Sequence, residues 1–343
     1  MRPRRSGERA FRFARGIRLR GTNIVCDAPS GELIFLAHAQ ALGALGPRRA
    51  VLRRAGRQEL LITEPTLALL GAAGARLRRH ALPVQFGRPF SLGEARVELF
   101  PSGHMPGSAS LRIEIDGRRM VYAGTVRMGA PGFGAIAAEV RPAEALCVDA
   151  TFGDPRFVFP EPAVALEQAY QFVKATLKAG AVPVLLAPAF STAMELAASL
   201  AAAGLSLRGH RAILAAASAF RDAGAAVPPI ARFGGKLDLG EALLWPPEAR
   251  SAPQLERLGR ARFAFVSGFS QDPEALARVR ADVAIPLSNQ SDCAQLLAYI
   301  EATGAREVAV HRGHADAFAA LLRARGLDAY SLGPPRQMDM FRG

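Results

Sequence analysis

The chain has 343 residues, 50% of them hydrophobic, with 43 Lys and Arg against 30 Asp and Glu and a formal charge of +13. That content, with frequent Gly and Pro, fits a packed α/β protein with room for two domains, and no apolar run approaches a membrane span, so no membrane partner is expected. Nearly all of the base is Arg, whose planar fork suits phosphate; the excess favours nucleic acid through counterion release, although an Arg- and Ala-rich composition is also what a GC-rich genome produces.

Met1–Arg9 is basic and no apolar segment follows it, so a secretory signal is not expected. Cys26, Cys147 and Cys293 stand singly, with no Cys-x-x-Cys pair; this suits small buried hydrophobes in a reducing cytosol, and a cytoplasmic location is expected. Residues 10–36 read as short strands with turns at Arg15-Gly16 and Ala28–Gly31. Arg12, Arg18 and Arg20 alternate there as one face of an edge strand, a pattern that also blocks aggregation. Further Arg clusters stand at 48–57, 76–79 and 257–262. A helix is predicted over Thr66–Ala75, starting at Thr63-Glu64-Pro65-Thr66. Strands follow at Val84–Phe86, Ala95–Phe100, Ser110–Ile115 and Met120–Ala123, with Asp116-Gly117 as a hairpin turn.

The stretch 150–165 is rich in Pro and Gly and closes the first half. Val164–Ala179 has helical periodicity, and Val182–Leu186 is an apolar strand. Ser191–Ala203 is a helix capped by Ser191 or Thr192, and His210 begins another over Arg211–Ala223. After Pro246-Pro247 come a strand at Phe263–Gly268 and a helix at Cys293–Thr303. A strand at Glu307–Val310, a helix at Ala315–Arg325 and a last strand at Asp328–Leu332 complete the order.

Residues 99–127 are the most informative stretch. A strand ends in Pro101-Ser102-Gly103-His104, a second glycine turn follows, and a hairpin ends in Tyr122-Ala123-Gly124-Thr125. This resembles the middle of the metallo-β-lactamase fold, most closely its β-CASP nuclease branch. In that family the His is a metal ligand, and the residue after the last Gly is an Asp bridging two metals. Thr125, a neutral hydroxyl, cannot replace that carboxylate. Ile24–Asp27 matches the family's first motif, a strand ending in Asp. Of the family's His-x-His-x-Asp-His run only His38 remains, with Gln40, Leu42 and Gly43 in the later positions. Leu146–Gly153 matches the β-CASP acidic motif through Asp149. Gln290 stands where Pro286–Asp292 should carry a His. In Val308–His314, aligned on Gly313, Arg312 takes the last His position, between His311 and His314.

The resemblance implies an α/β metallo-β-lactamase αββα sandwich with a small inserted β-CASP-like α/β lid. It places a first half at 1–162, the insert at 163–250, a return at 251–332 and an extended tail at 333–343. Asp27, His38, His104 and Asp149 form a relict cleft in which only the two histidines match true ligands. Two histidines are a weak cage, so no metal and no cofactor are expected; any zinc would use His38 and His104 with His311 or His314. The same two histidines also read as a pair kept by hydrogen bonds in a buried cleft, the reading favoured where other ligands are lacking. An ion pair between Arg312 and Asp149, within about 6 Å, would fill the positive role of the metals.

The relatives by pattern are the bacterial DNA ligase-associated exonucleases and messenger-RNA 3′-end processing factors. A degenerate, non-hydrolytic member is therefore expected. It would bind DNA or RNA, or serve as an accessory subunit beside an active paralogue or in a DNA ligase or helicase complex, in DNA repair, replication or RNA processing. The rival is an active metal-dependent nuclease with an atypical site. In the tail, Gln337-Met338-Asp339-Met340-Phe341 resembles the pentapeptide that docks on the bacterial DNA sliding clamp, with Met340 and Phe341 for an apolar pocket; folding back onto the protein's own surface is the alternative.

Overall fold

A computed structural model describes residues 8–45, 59–190 and 192–334. The Gln337–Phe341 motif, the proposed Ser191 cap and the Arg48–Arg57 cluster lie outside the described residues.

The first sheet is six strands in chain order: β1 Phe11–Phe13, β2 Ile17–Leu19, β3 Ile24–Cys26, β4 Leu33–Phe35, β5 Glu59–Ile62 and β6 Ala81–Pro83. Its alternation sorts the apolar residues to two faces. Leu33 and Phe35 join Phe11, Leu19 and Cys26 on one face, whereas Ile34, Leu60 and Ile62 pack against Leu67 and Leu77 of two short helices. Because both faces of β4 are covered, its sequence reads as continuously apolar. The single helix predicted over Thr66–Ala75 is two, α1 Glu64–Leu69 and α2 Ala72–Leu77. Gly71, at φ 55°, breaks them apart. Thr63 caps α1, as its sequence suggests.

The second sheet starts with β7 Phe90–Leu92, β8 Ala95–Pro101, β9 Ala109–Ile115, β10 Arg118–Gly124 and β11 Ala145–Asp149. Asp116 and Gly117 both take positive φ in the β9–β10 turn. The strand expected at Val84–Phe86 is absent; the chain pairs just before it, as β6, and just after it, as β7.

A third sheet follows, parallel in every pairing: β12 Val182–Leu186, β13 Ser206–Gly209, β14 Ala231–Arg232, β15 Glu241–Trp245, β16 Ala261–Val266 and β17 Val283–Ile285. Helices α3 Pro162–Lys178, α4 Thr192–Ala202 and α5 Arg211–Asp222 cover one face. The two shorter helices, α6 Pro253–Glu256 and α7 Pro273–Val279, follow β15 and β16. The sequence placed residues 251–332 in the returning segment. In the structure β16 pairs with β12 and β17 with β16, so the third sheet extends to Ile285. An apolar strand carries no label for its partner, which is why the sequence put β16 elsewhere.

The chain rejoins the second sheet through α8 Cys293–Thr303, β18 Glu307–His311, α9 Ala315–Ala324 and β19 Asp328–Leu332. Asp292 and Gln295 form a reciprocal capping box on α8. Leu296, Ile300, Phe318 and Leu322 of α8 and α9 pack on Val121, Leu146 and Val308. The opposite face of the sheet, with Val97, Leu111 and Tyr122, shares a core with Phe35 and Leu19 of the first sheet. The protein is thus a mixed α/β structure, in which two sheets enclose one core and helices lie on their outer faces.

Candidate functional site

The residues singled out by sequence converge where several strands end. Asp27 follows β3, His38 follows β4, Thr125 follows β10, and Asp149 and His311 end the paired parallel strands β11 and β18. Loops beyond the carboxyl ends of parallel strands are where α/β sheets gather functional groups. Two of these positions have left-handed backbone without being glycine, Asp27 at φ 46° and Arg312 at φ 63°. Such conformations persist where surrounding structure holds them, and they cluster at sites.

His104 sits between two glycines that have no substitute. Gly103 and Gly107 have φ of 80° and 73°. A Cβ on Gly107 would lie 2.5 Å from the Thr66 amide nitrogen, and one on Gly103 would lie 2.2 Å from the Arg127 carbonyl. The Ser108 hydroxyl accepts from the amides of His104 and Met105, which closes the loop.

The hydrogen bonds assign the proton on His104. Its Nδ1 lies 2.8 Å from the Asn289 carbonyl, which can only accept, so Nδ1 donates. Nε2 is then an acceptor, 3.1 Å from Oε1 of Gln40; the satisfied arrangement has that amide turned so that its NH2 donates. The His38 ring packs edge-on against His104 at 4.7 Å. His38 Nε2 lies 3.4 Å from the Thr125 hydroxyl, which donates to Asp149 Oδ2 over 3.1 Å. Burial pushes both histidines down to about 3; Arg312 adds to this at His38, and His38 adds to it at His104. Both rings are neutral at neutral pH.

The two carboxyls are pushed in opposite directions. Burial raises Asp27, although Arg312, the Ala37 amide at 2.9 Å and the Tyr122 hydroxyl at 2.8 Å oppose it. Burial also disfavours the Asp149 carboxylate, but attraction to His311 and Arg312 and two hydrogen bonds from Thr151 outweigh this and hold it below its ordinary range. Arg312 Nη1 stands 3.3 Å from Asp149 Oδ2. The ion pair expected from the sequence is therefore present.

Other predicted positions are used differently. The Pro286–Asp292 segment reaches His104 through the carbonyl of Asn289, whereas Gln290 is tied through its backbone to the Ser288 hydroxyl. Leu42 is core, packed with Ile34 and Leu36, and Gly43 lies in the same 3-10 helix, Ala39–Leu45. His311 stacks beside Tyr122 at 5.6 Å. His314 instead faces Asp154 at 3.7 Å and Phe157. His210 caps α5 and packs on Trp245.

Tyr122 and Asn289 stand inside motifs read from the sequence but were given no role there, and a buried pair, Arg127 with Glu195 of α4, joined by two 2.8 Å bonds, was not foreseen. This pair ties the third-sheet unit to the loop after β10. Nothing local names the partners of these residues; only tertiary proximity does.

The donors do not fit two zinc ions. The cleft is lined by a neutral hydroxyl, Thr125, a neutral amide, Gln40, and a cation, Arg312, beside its two histidines, and neither the amide nor the guanidinium is an ordinary zinc ligand. Among the described residues, no three His, Cys, Asp or Glu side chains are grouped to hold a metal. The His38 Nδ1 and His311 Nε2 atoms are buried without a hydrogen-bond partner among the described residues.

No family model matches the chain. Over 289 residues it is 31% identical to a protein of Opitutus terrae named "Probable DNA ligase". The match takes in 83% of this chain, which spans only 28% of the length of that curated relative.

Proposed function

We propose that this chain is a DNA-associated accessory protein on a metallo-β-lactamase αββα scaffold with a β-CASP-like insert. In this reading it holds nucleic acid and does not hydrolyse it through two metals. The observation that carries the reading is the Arg312–Asp149 pair: a guanidinium is fixed at the position where the family resemblance puts a metal ligand. Its charge cannot be removed by deprotonation, and it repels a second cation. The two-sheet core with outer helices supports the scaffold, and the ligase-named relative supports the setting, DNA repair or replication. The partners that fit are a DNA ligase or helicase complex, an active paralogue, or the sliding clamp through Gln337–Phe341.

A fluorescence-anisotropy titration of DNA with the purified protein over a salt series tests this. Binding whose log K falls linearly with log salt supports it; no binding at 50 mM salt (a value of the order at which phosphate contacts are strong) overturns it. One observation favours the rival, a metal-dependent nuclease with an atypical site: the buried nitrogens of His38 and His311, which have no partner among the described residues, would be satisfied by a ligand. Elemental analysis that finds stoichiometric zinc or manganese, lost in His104→Ala, would establish that reading.

A further inference from the structure

The β1–β2 hairpin sets two cations directly against each other. Arg12 pairs in register with Arg18, while Phe11, Ile17 and Leu19 turn into the core. Like charges directly opposite on one face of an antiparallel pair are destabilising. Arg15, at the turn between them, adds a third guanidinium at φ 59°. Arg12 and Arg15 are exposed and Arg18 is half-buried. None of the three has an ion pair among the described residues, whereas neighbouring Arg9 pairs with Asp328 and Arg20 with Glu8. The residues outside the description hold one acid, Asp339, so little counter-charge remains to be assigned.

Protection of a sheet edge does not account for this. β1 is the edge strand, and one charge on it would suffice. Arg18 lies on β2, which is paired on both sides, to β1 and β3. Helices α1 and α2 cover the outer face at β4 and β5 but leave Arg12 open to solvent. Three guanidiniums without neutralising partners on one short hairpin match a polyanion whose charges recur every few ångströms, and the guanidinium fork binds phosphate oxygens two at a time.

We propose that the outer face of the β1–β2 hairpin, through Arg12, Arg15 and Arg18, docks the sugar-phosphate backbone of DNA. The identity of the polyanion rests on the DNA-associated reading above; the surface rests on the register and the missing counter-charges.

The test compares two variants that lose the same formal charge. Arg12→Gln/Arg18→Gln removes the opposed pair and leaves Arg15, while Arg78→Gln/Arg119→Gln removes two arginines already paired with Glu64 and Glu144. DNA affinity and its salt dependence are measured by anisotropy, and thermal stability is measured alongside. The hairpin variant is expected to bind roughly tenfold more weakly at low salt, with a salt slope smaller by about two, and to melt no lower than the parent. The control variant is expected to keep the parent affinity. Equal losses in both variants would reduce the effect to net charge and overturn the proposal, as would unchanged binding in the hairpin variant. Parent binding with an unaffected hairpin variant refutes the surface alone; a parent that binds no DNA refutes both readings. If the double variant fails to fold, Arg15→Asn, which tolerates the left-handed turn, reads the same loss at about one unit of slope.

Discussion

Arg312 Nη1 lies 3.3 Å from Asp149 Oδ2, and the two side chains meet from the ends of adjacent parallel strands. Asp149 is almost fully enclosed, with 2% of its side chain exposed, while Arg312 keeps 36%. The asymmetry decides what each substitution does. Arg312→Gln leaves a buried carboxylate with its Thr151 and Thr125 bonds but without its cation. A loss of about 1–2 kcal/mol is expected, below the range for a fully buried pair because water screens Arg312. Urea unfolding of the variant measures it, and an unchanged midpoint would show that the pair contributes nothing.

The Arg127–Glu195 pair should behave more severely. Its side chains are 3% and 12% exposed and share two bonds of 2.8 Å. Glu195→Gln leaves the guanidinium buried and unpaired, at an expected cost of about 3–5 kcal/mol. The double variant Arg127→Gln/Glu195→Gln should recover part of that loss in a double-mutant cycle, which separates the pair's coupling from the isolated penalties.

The neutral histidines predict a pH dependence. His38 and His104 are held down to about 3 in the folded protein, while in the unfolded chain a histidine titrates near its ordinary 6.5. Below pH 6.5 the unfolded state therefore takes up protons that the folded state refuses. Stability falls as pH drops from about 6.5 toward 3, by up to roughly 1.4 kcal/mol per pH unit for each histidine. NMR titration should find neither ring changing charge between pH 5 and 8, and a His104 midpoint near 6.5 would refute the burial argument.

Gly107→Ala tests the loop that presents His104. The new Cβ meets the backbone of Thr66 at 2.5 Å and takes a φ of 73°. The expected loss is about 2–3 kcal/mol or more. Thermal melting measures the loss, and crystallography of any folded variant should show the Gly103–Gly107 loop displaced from Thr63 and Thr66.

The donor set predicts indifference to chelators. With Gln40 on His104 and Arg312 on Asp149, treatment with EDTA should leave the melting temperature unchanged. A fall of several degrees, restored by zinc, would instead point to a stabilising bound metal.

Much of the element order could be read from the sequence because short-range chemistry writes it. Asp116-Gly117 specifies a hairpin, Asp292 with Gln295 starts α8, and the apolar run Val182–Leu186 is a strand covered on both faces. That Asp27, His38, His104, Thr125 and Asp149 stand at or just after strand ends was also legible, since an apolar run closed by a turn residue marks such an end. What only the tertiary structure decided is partnership. Nothing in the sequence of β16 says that it pairs with β12, nor that Asn289 offers its carbonyl to a histidine 185 residues away, nor that Arg127 faces Glu195. Period and capping are properties of neighbouring residues, whereas a buried ion pair or a strand register depends on which surfaces meet after the chain has closed on itself, and that is settled by the packing of the whole core.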